Sequence, residues 1–200
     1  MIKADYGKKF YKQFKALSKQ WFYKLLKQTP DIGKSIFSFN YAYAPSYVAW
    51  YKAMIELGLN QSQVDDLMWR MNEKMLLSVP KPLLHMVGKS YLKGFRKKAK
   101  KHIERQERGE LLPFDWEIDY EDINENTFKI TITRCGFITY ADKFGARGIL
   151  PGICAVDYMI GYYMKTGFYR TKTLGYGDDC CNCLYALRGS CSLKPEKGQK

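Results

Sequence analysis

Between Asp5 and Gln28 the apolar residues Tyr6, Phe10, Phe14, Leu17, Trp21 and Leu25 recur every three or four positions, with lysines between them. That spacing predicts an amphipathic helix with its lysines in solvent, stopped by Thr29-Pro30. A second helix is expected from about Pro45-Ser46, carrying Val48, Met54, Ile55 and Leu57 and ending at Gly58. A third follows the polar start Asn60-Gln61-Ser62, turns Val64, Leu67, Met68, Met71 and Met75 inward, and closes at Pro80. A fourth runs from about Lys81 to Arg108 on an apolar stripe of Leu84, Val87, Tyr91, Phe95, Ala99 and Ile103. Its outer face would hold Lys89, Lys93, Arg96, Lys97, Lys100, Lys101, Arg105 and Arg108.

After Gly109 the period shortens. Asp115–Glu121 and Thr127–Arg134 alternate polar and apolar, which predicts two half-buried strands joined by a turn at Asn124-Glu125-Asn126. A short helix over Phe137–Phe144 ends at Gly145, and a longer one over Pro151–Lys165 starts on a proline suited to a first helical position. Two more strands, Phe168–Tyr176 and Cys180–Leu187, flank a turn at Gly177-Asp178-Asp179. The predicted fold class is α+β: an N-terminal helical part, then a small antiparallel β-β-α-α-β-β sheet with helices packed on one face. Residues 1–109 form a helical region and 110–190 an α+β region, expected to build one compact unit. Residues 191–200 read as a flexible tail.

Composition changes this picture in one respect. The 200-residue chain has 33 Lys+Arg against 20 Asp+Glu, a net charge of +13. Residues 1–109 hold 22 of the basic and 8 of the acidic residues, +14, whereas the remainder is −1 and holds all six cysteines. Thirty-one aromatic residues exclude intrinsic disorder. No run of about 18 uncharged apolar residues exists to span a membrane, and Met1-Ile2-Lys3-Ala4-Asp5 opens no signal peptide. A cytoplasmic protein is therefore expected. The basic helix 81–108 could track phosphates or lie on an anionic membrane. No helix-turn-helix, RNP motif or Cys/His finger accompanies it, so a solvated bundle face is the preferred reading.

Candidate chemistry lies in the second half. There is no phosphate-binding glycine loop, G-x-S-x-G elbow or H-E-x-x-H, and the only histidines, His85 and His102, lie in the basic helix. Cys180 and Cys183 form a C-x-x-C, but strand alternation puts Cys181, Cys183 and Tyr185 on one face and Cys180 on the other. A zinc knuckle would need a turn there, and a disulfide framework does not suit a chain without a secretion signal. Cys154 is different. In the first turn of a helix opened by Pro151, its thiolate would be favoured by the helix dipole, with Asp157 three residues on and on the same face. That pair suits a nucleophile with an acid/base partner, or two metal ligands; the plainer alternative is a buried thiol beside a capping aspartate.

Taken together, Cys135, then Cys154-Ala155-Val156-Asp157, then Arg170-Thr171-Lys172-Thr173-Leu174, then Gly177-Asp178-Asp179-Cys180-Cys181-Asn182 form a spaced set. With the Pro113-x-Asp115-Trp116 entry, this set resembles the L-2-amino-thiazoline-4-carboxylic acid hydrolase family over about residues 113–187. The family pattern has a cysteine after its central strand, a helical C-x-x-D, and an R-x-x-T-[IL]-A-x-G stretch ending in C-D-F. The chain departs at Gly175, where the family has alanine, and at Asn182-Cys183, where it has Asp-Phe. The resemblance implies hydrolytic opening of a cyclic amidine to a carbamoyl-cysteine, by water or cysteine attack. Cys154 would be the nucleophile or a metal ligand, and Asp157 would orient water or move protons. Cys181 and Cys135 would converge on the same pocket, Arg170 would clamp a substrate carboxylate, and Thr173 would hydrogen-bond substrate. The alternative is a non-catalytic module binding a small molecule, or a metal such as zinc, through Cys135, Cys154 and Cys181.

Overall fold

The spacing of the first apolar stripe folds as α1 (Ile2–Leu26), kinked at Gly7, whose φ of 82° leaves the helical region. The computed structural model describes residues 1–196 and 198–200. The second stripe becomes α3 (Ala44–Glu56), preceded by a short helix α2 (Ser38–Ala42) that the sequence pattern did not signal. Trp21 donates its indole N–H to Glu56 at 2.6 Å, tying α1 to α3. The polar start at Asn60 is a full capping box. Its side chain accepts the Gln63 amide while the Gln63 side chain accepts the Asn60 amide, and α4 (Gln61–Leu76) begins there.

The fourth helix is α5 (Lys81–Glu107), rotated from expectation. Leu84, Gly88, Leu92, Ala99 and His102 face inward, while Val87 and Tyr91 are exposed. Gly88 sets this rotation, because a Cβ there would lie 2.3 Å from the Met164 carbonyl oxygen. Two residues expected in solvent are also structural. Arg96 reaches Asp122, the Tyr120 hydroxyl and the carbonyls of Asn124 and Glu125. Arg105 bonds the Lys34 carbonyl and lies 3.7 Å from the fully buried Asp115 carboxylate. Lys93, Lys97, Lys98, Lys100 and Lys101 remain exposed.

The sheet is antiparallel in the order β1 (Glu117–Asp122), β2 (Thr127–Arg134), β4 (Cys181–Ala186), β3 (Gly167–Tyr169). Ile118 pairs with Ile132, Ile130 with Cys183, Ile132 with Cys181, and Phe128 and Phe168 both with Tyr185. These side chains share one face, and the stacked Phe128–Tyr185 pair meets Phe95 of α5. The α+β class therefore holds. Strand β3 is shorter than the predicted 168–176, because the chain leaves the sheet at Arg170 and turns through a 3-10 segment, Leu174–Tyr176. The main buried cluster draws on both regions, from Ile2 and Phe14 to Ile130 and Leu187. The described residues after Ser190 form neither helix nor strand, and Leu193 lies against the Leu84–Met159–Tyr163 cluster. Among the described residues no helix is long and apolar enough to cross a membrane.

After β2 come α6 (Gly136–Lys143), α7 (Leu150–Cys154) and α8 (Val156–Met164). A buried bridge fixes α7: the Tyr47 hydroxyl donates to Asn72, whose amide donates to the Gly152 carbonyl at 3.2 Å. Asn72→Ala strands the hydroxyl and the carbonyl, and is expected to cost about 2 kcal/mol. The melting temperature should fall by roughly 4–8 °C for a chain of this size. Calorimetry checks this, and an unchanged melting temperature would show that water replaces the bridge.

Candidate active site

The helix predicted over 151–165 is broken, and the break builds the site. At Ala155 the ladder tightens: the Tyr158 amide bonds the Ala155 carbonyl at 3.2 Å rather than that of Cys154. The Cys154 carbonyl is thereby free to accept from Arg170 Nη2 at 2.7 Å. Cys154 consequently ends the five-residue α7 instead of sitting in the first turn of a long helix. The dipole argument for a thiolate there is withdrawn, whereas Asp157 does lie in the first turn of α8.

Burial acts on the Cys154 thiol and pushes it up to about 11, against a partial downward pull from Arg170. It is neutral at pH 7. The Thr173 hydroxyl lies 3.3 Å from Cys181 Sγ. The Cys181 sulfur also accepts the Leu174 amide at 3.3 Å. Cys135, the residue before α6, lies within electrostatic range of Cys154 and Cys181, and burial raises its thiol to about 12. Cys183, on the same face of β4, is raised by burial as well. All six cysteines are free thiols.

Arg170 is the hub. Its side chain is 3% exposed, and it pairs through Nη1 with Asp157 Oδ2 at 3.2 Å. Burial alone would lower the guanidinium, but Asp157 opposes it and the charge is kept. The Asp157 side chain keeps 39% of its surface open, so the carboxylate meets solvent from inside the fold. Burial still raises its carboxyl above the ordinary range, with Arg170 pulling the other way. The site therefore joins Cys154 and Asp157 from α7 and α8, Arg170 and Thr173 from the segment after β3, Cys181 from β4 and Cys135 from the end of β2. The sequence motifs named all six.

Two further residues belong with them. Tyr158 is fully buried and donates its hydroxyl to the Arg170 carbonyl at 3.0 Å. Asp178 accepts the Thr173 amide at 2.7 Å and so closes the loop that carries Thr173. Tyr158 read as one more core aromatic, and Asp178 as part of a turn, so neither carried a separate signal.

Both departures from the family pattern have local causes. A Cβ on Gly175 would stand 2.5 Å from Cys154 Sγ, so glycine makes room for that sulfur. Asn182 points away from the thiols and accepts the amides of Thr171 and Lys172 at 3.0 and 2.7 Å, while donating to the Thr171 hydroxyl. An aspartate could accept the same two amides; the position clamps a loop, and its charge is not required by that contact. Among the described residues no group of three or more His, Cys, Asp or Glu side chains is disposed to hold a metal ion. The set Cys135, Cys154 and Cys181 thus does not fit zinc, and no step below uses a metal.

The fold and site define an α+β protein in which thiols, one carboxylate and one guanidinium lie together. Residues 40–185 match the family described as L-2-amino-thiazoline-4-carboxylic acid hydrolase, and the chain belongs to that family. The match leaves α1 outside. No curated protein and no solved structure matches the chain.

Proposed function

We propose that the protein is a hydrolase that opens a carboxylate-bearing cyclic amidine by water attack, with Asp157 as general base. The observation that carries this reading is the meeting of Asp157, Arg170, Cys154 and Cys181 in one place. A thiol near 11 is a poor nucleophile at neutral pH, whereas a solvent-reached carboxylate can take a proton from water. In the protonated amidine, water oxygen bonds to the ring carbon between nitrogen and sulfur as Asp157 takes one proton. The carbon–sulfur bond then breaks with its electron pair leaving on sulfur, which receives the proton from Asp157. The adduct hydroxyl loses its proton to solvent as the urea carbonyl forms. Protonated amidine and water thus give a ureido thiol and one proton.

Arg170 would hold the substrate carboxylate. The Cys154 thiol would hydrogen-bond a ring heteroatom, and Cys135 and Cys181 would wall the same space. The base must be ionised, so activity is full above the Asp157 pKa and is lost as pH falls through it. Because burial raises that pKa, the acid limb of kcat/KM should bend above the ordinary carboxyl value of 3.8. Rate measurements on L-2-amino-thiazoline-4-carboxylate across acid pH test this. An activity that stays flat down to the ordinary carboxyl range would remove Asp157 as the base, and binding without turnover would remove the hydrolase reading.

A further inference from the structure

Arg170 already holds a ligand, supplied by the chain itself. Its Nε donates to the main-chain oxygen of Lys200 at 2.7 Å, and the buried Tyr158 hydroxyl lies 3.3 Å from the same oxygen. The Lys200 amide donates to the Arg170 carbonyl at 3.1 Å. At the other end of the residue, Lys200 Nζ reaches both oxygens of Asp178 at 2.6 and 2.8 Å. Asp178 is bonded to the Thr173 amide, and the Thr173 hydroxyl touches the sulfur of Cys181. One residue carrying an oxygen acceptor and a cation therefore bridges Arg170 and Asp178, each end matched by a protein group of opposite character.

We infer that Lys200 stands on the substrate's own anchor points. Arg170 Nε and Tyr158 hydroxyl bind the substrate carboxylate, Asp178 binds the cationic nitrogen, and residues 198–200 leave when substrate enters. This rests on the hydrolase reading for the substrate, though not for the anchors. A carboxylate on a flat ring with a positive nitrogen across it presents the same pairing of oxygen acceptor and cation as Lys200. Asp178 is then a specificity-determining residue, selecting cyclic amidines over neutral ring carboxylates. The covering segment acts as an internal competitor: substrate affinity is reduced by the fraction of molecules in which the segment sits on Arg170.

Two variants and two probes test this in the full chain. Lys200→Ala removes the contact with Asp178 and should lower KM for L-2-amino-thiazoline-4-carboxylate about fivefold, with kcat little changed. The same variant should bind thiophene-2-carboxylate, a neutral-ring carboxylate, about fivefold more tightly than the unmodified chain by calorimetry. Asp178→Asn keeps an acceptor for the Thr173 amide but loses the charge. It should move the two probes in opposite directions, raising KM for the cyclic amidine while tightening thiophene-2-carboxylate. A structural defect would weaken both. Equal thiophene-2-carboxylate affinity in the unmodified and Lys200→Ala proteins overturns the inference, whether or not there is turnover. Absent turnover with the expected carboxylate affinities overturns the hydrolase reading alone and supports the anchors.

Discussion

Asparagine in place of Asp157 is expected to lower kcat about a thousand-fold and to move KM far less, the pattern of a lost general base. The substitution is nearly isosteric, and its amide oxygen can still face Arg170 Nη1, now 3.2 Å from the carboxylate. What disappears is the negative charge that takes the proton from water. Arg170, 3% exposed, also loses an anionic partner, so some fall in melting temperature should accompany the kinetic loss. Circular dichroism separates the two effects, because a folded variant with lost turnover isolates the chemical role. A folded Asp157→Asn protein turning over within about tenfold of the original would fall below the range of general-base effects and sink the mechanism.

The largest effect on stability is expected at Gly136, where β2 hands the chain to α6 just after Cys135. A Cβ there would lie 2.1 Å from the Phe114 carbonyl oxygen and 2.7 Å from Trp116 Cζ3. Neither neighbour can yield. Trp116 is 4% exposed and stacked on Phe37 at 4.8 Å, and its carbonyl is bonded to the buried His102. Gly136→Ala should therefore cost about 3 kcal/mol, at the upper end of overpacking effects. In a domain of this size that corresponds to a fall of roughly 6–12 °C in melting temperature. A variant melting with the original protein would show that the Phe114–Trp116 segment moves more readily than its packing indicates.

Much of this architecture was legible in the sequence because local and tertiary demands agree. Strand β2 was found to the residue, its alternation being satisfied by Phe128, Ile130 and Ile132 on one buried face. The Asn60 start was equally plain, whereas α4 ends at Leu76, before Pro80, which instead caps the start of α5. Failures occurred where a distant partner overrode a local pattern. The 151–165 periodicity continues through Ala155, and only Arg170, absent from that window, draws the Cys154 carbonyl out of the ladder. Residues 170–176 have strand-like composition, but Asp178 and Asn182 take their amides into a loop instead. The stripe on α5 was misplaced because Gly88 carries no hydrophobic signal although it marks the closest approach to α8. In the site, motif spacing brought the six residues together. The low accessibility that keeps Cys154 protonated depends on packing that no spacing records.

The fit of Gly175 against Cys154 also bears on how the site withstands oxidants. Because position 175 has no Cβ, the Leu174–Tyr176 turn lays no side chain from that position over Cys154 Sγ, and this thiol is only partly buried. Peroxide is therefore expected to reach the partly buried thiols Cys135, Cys154, Cys180 and Cys191 before the buried Cys181 and Cys183 of β4.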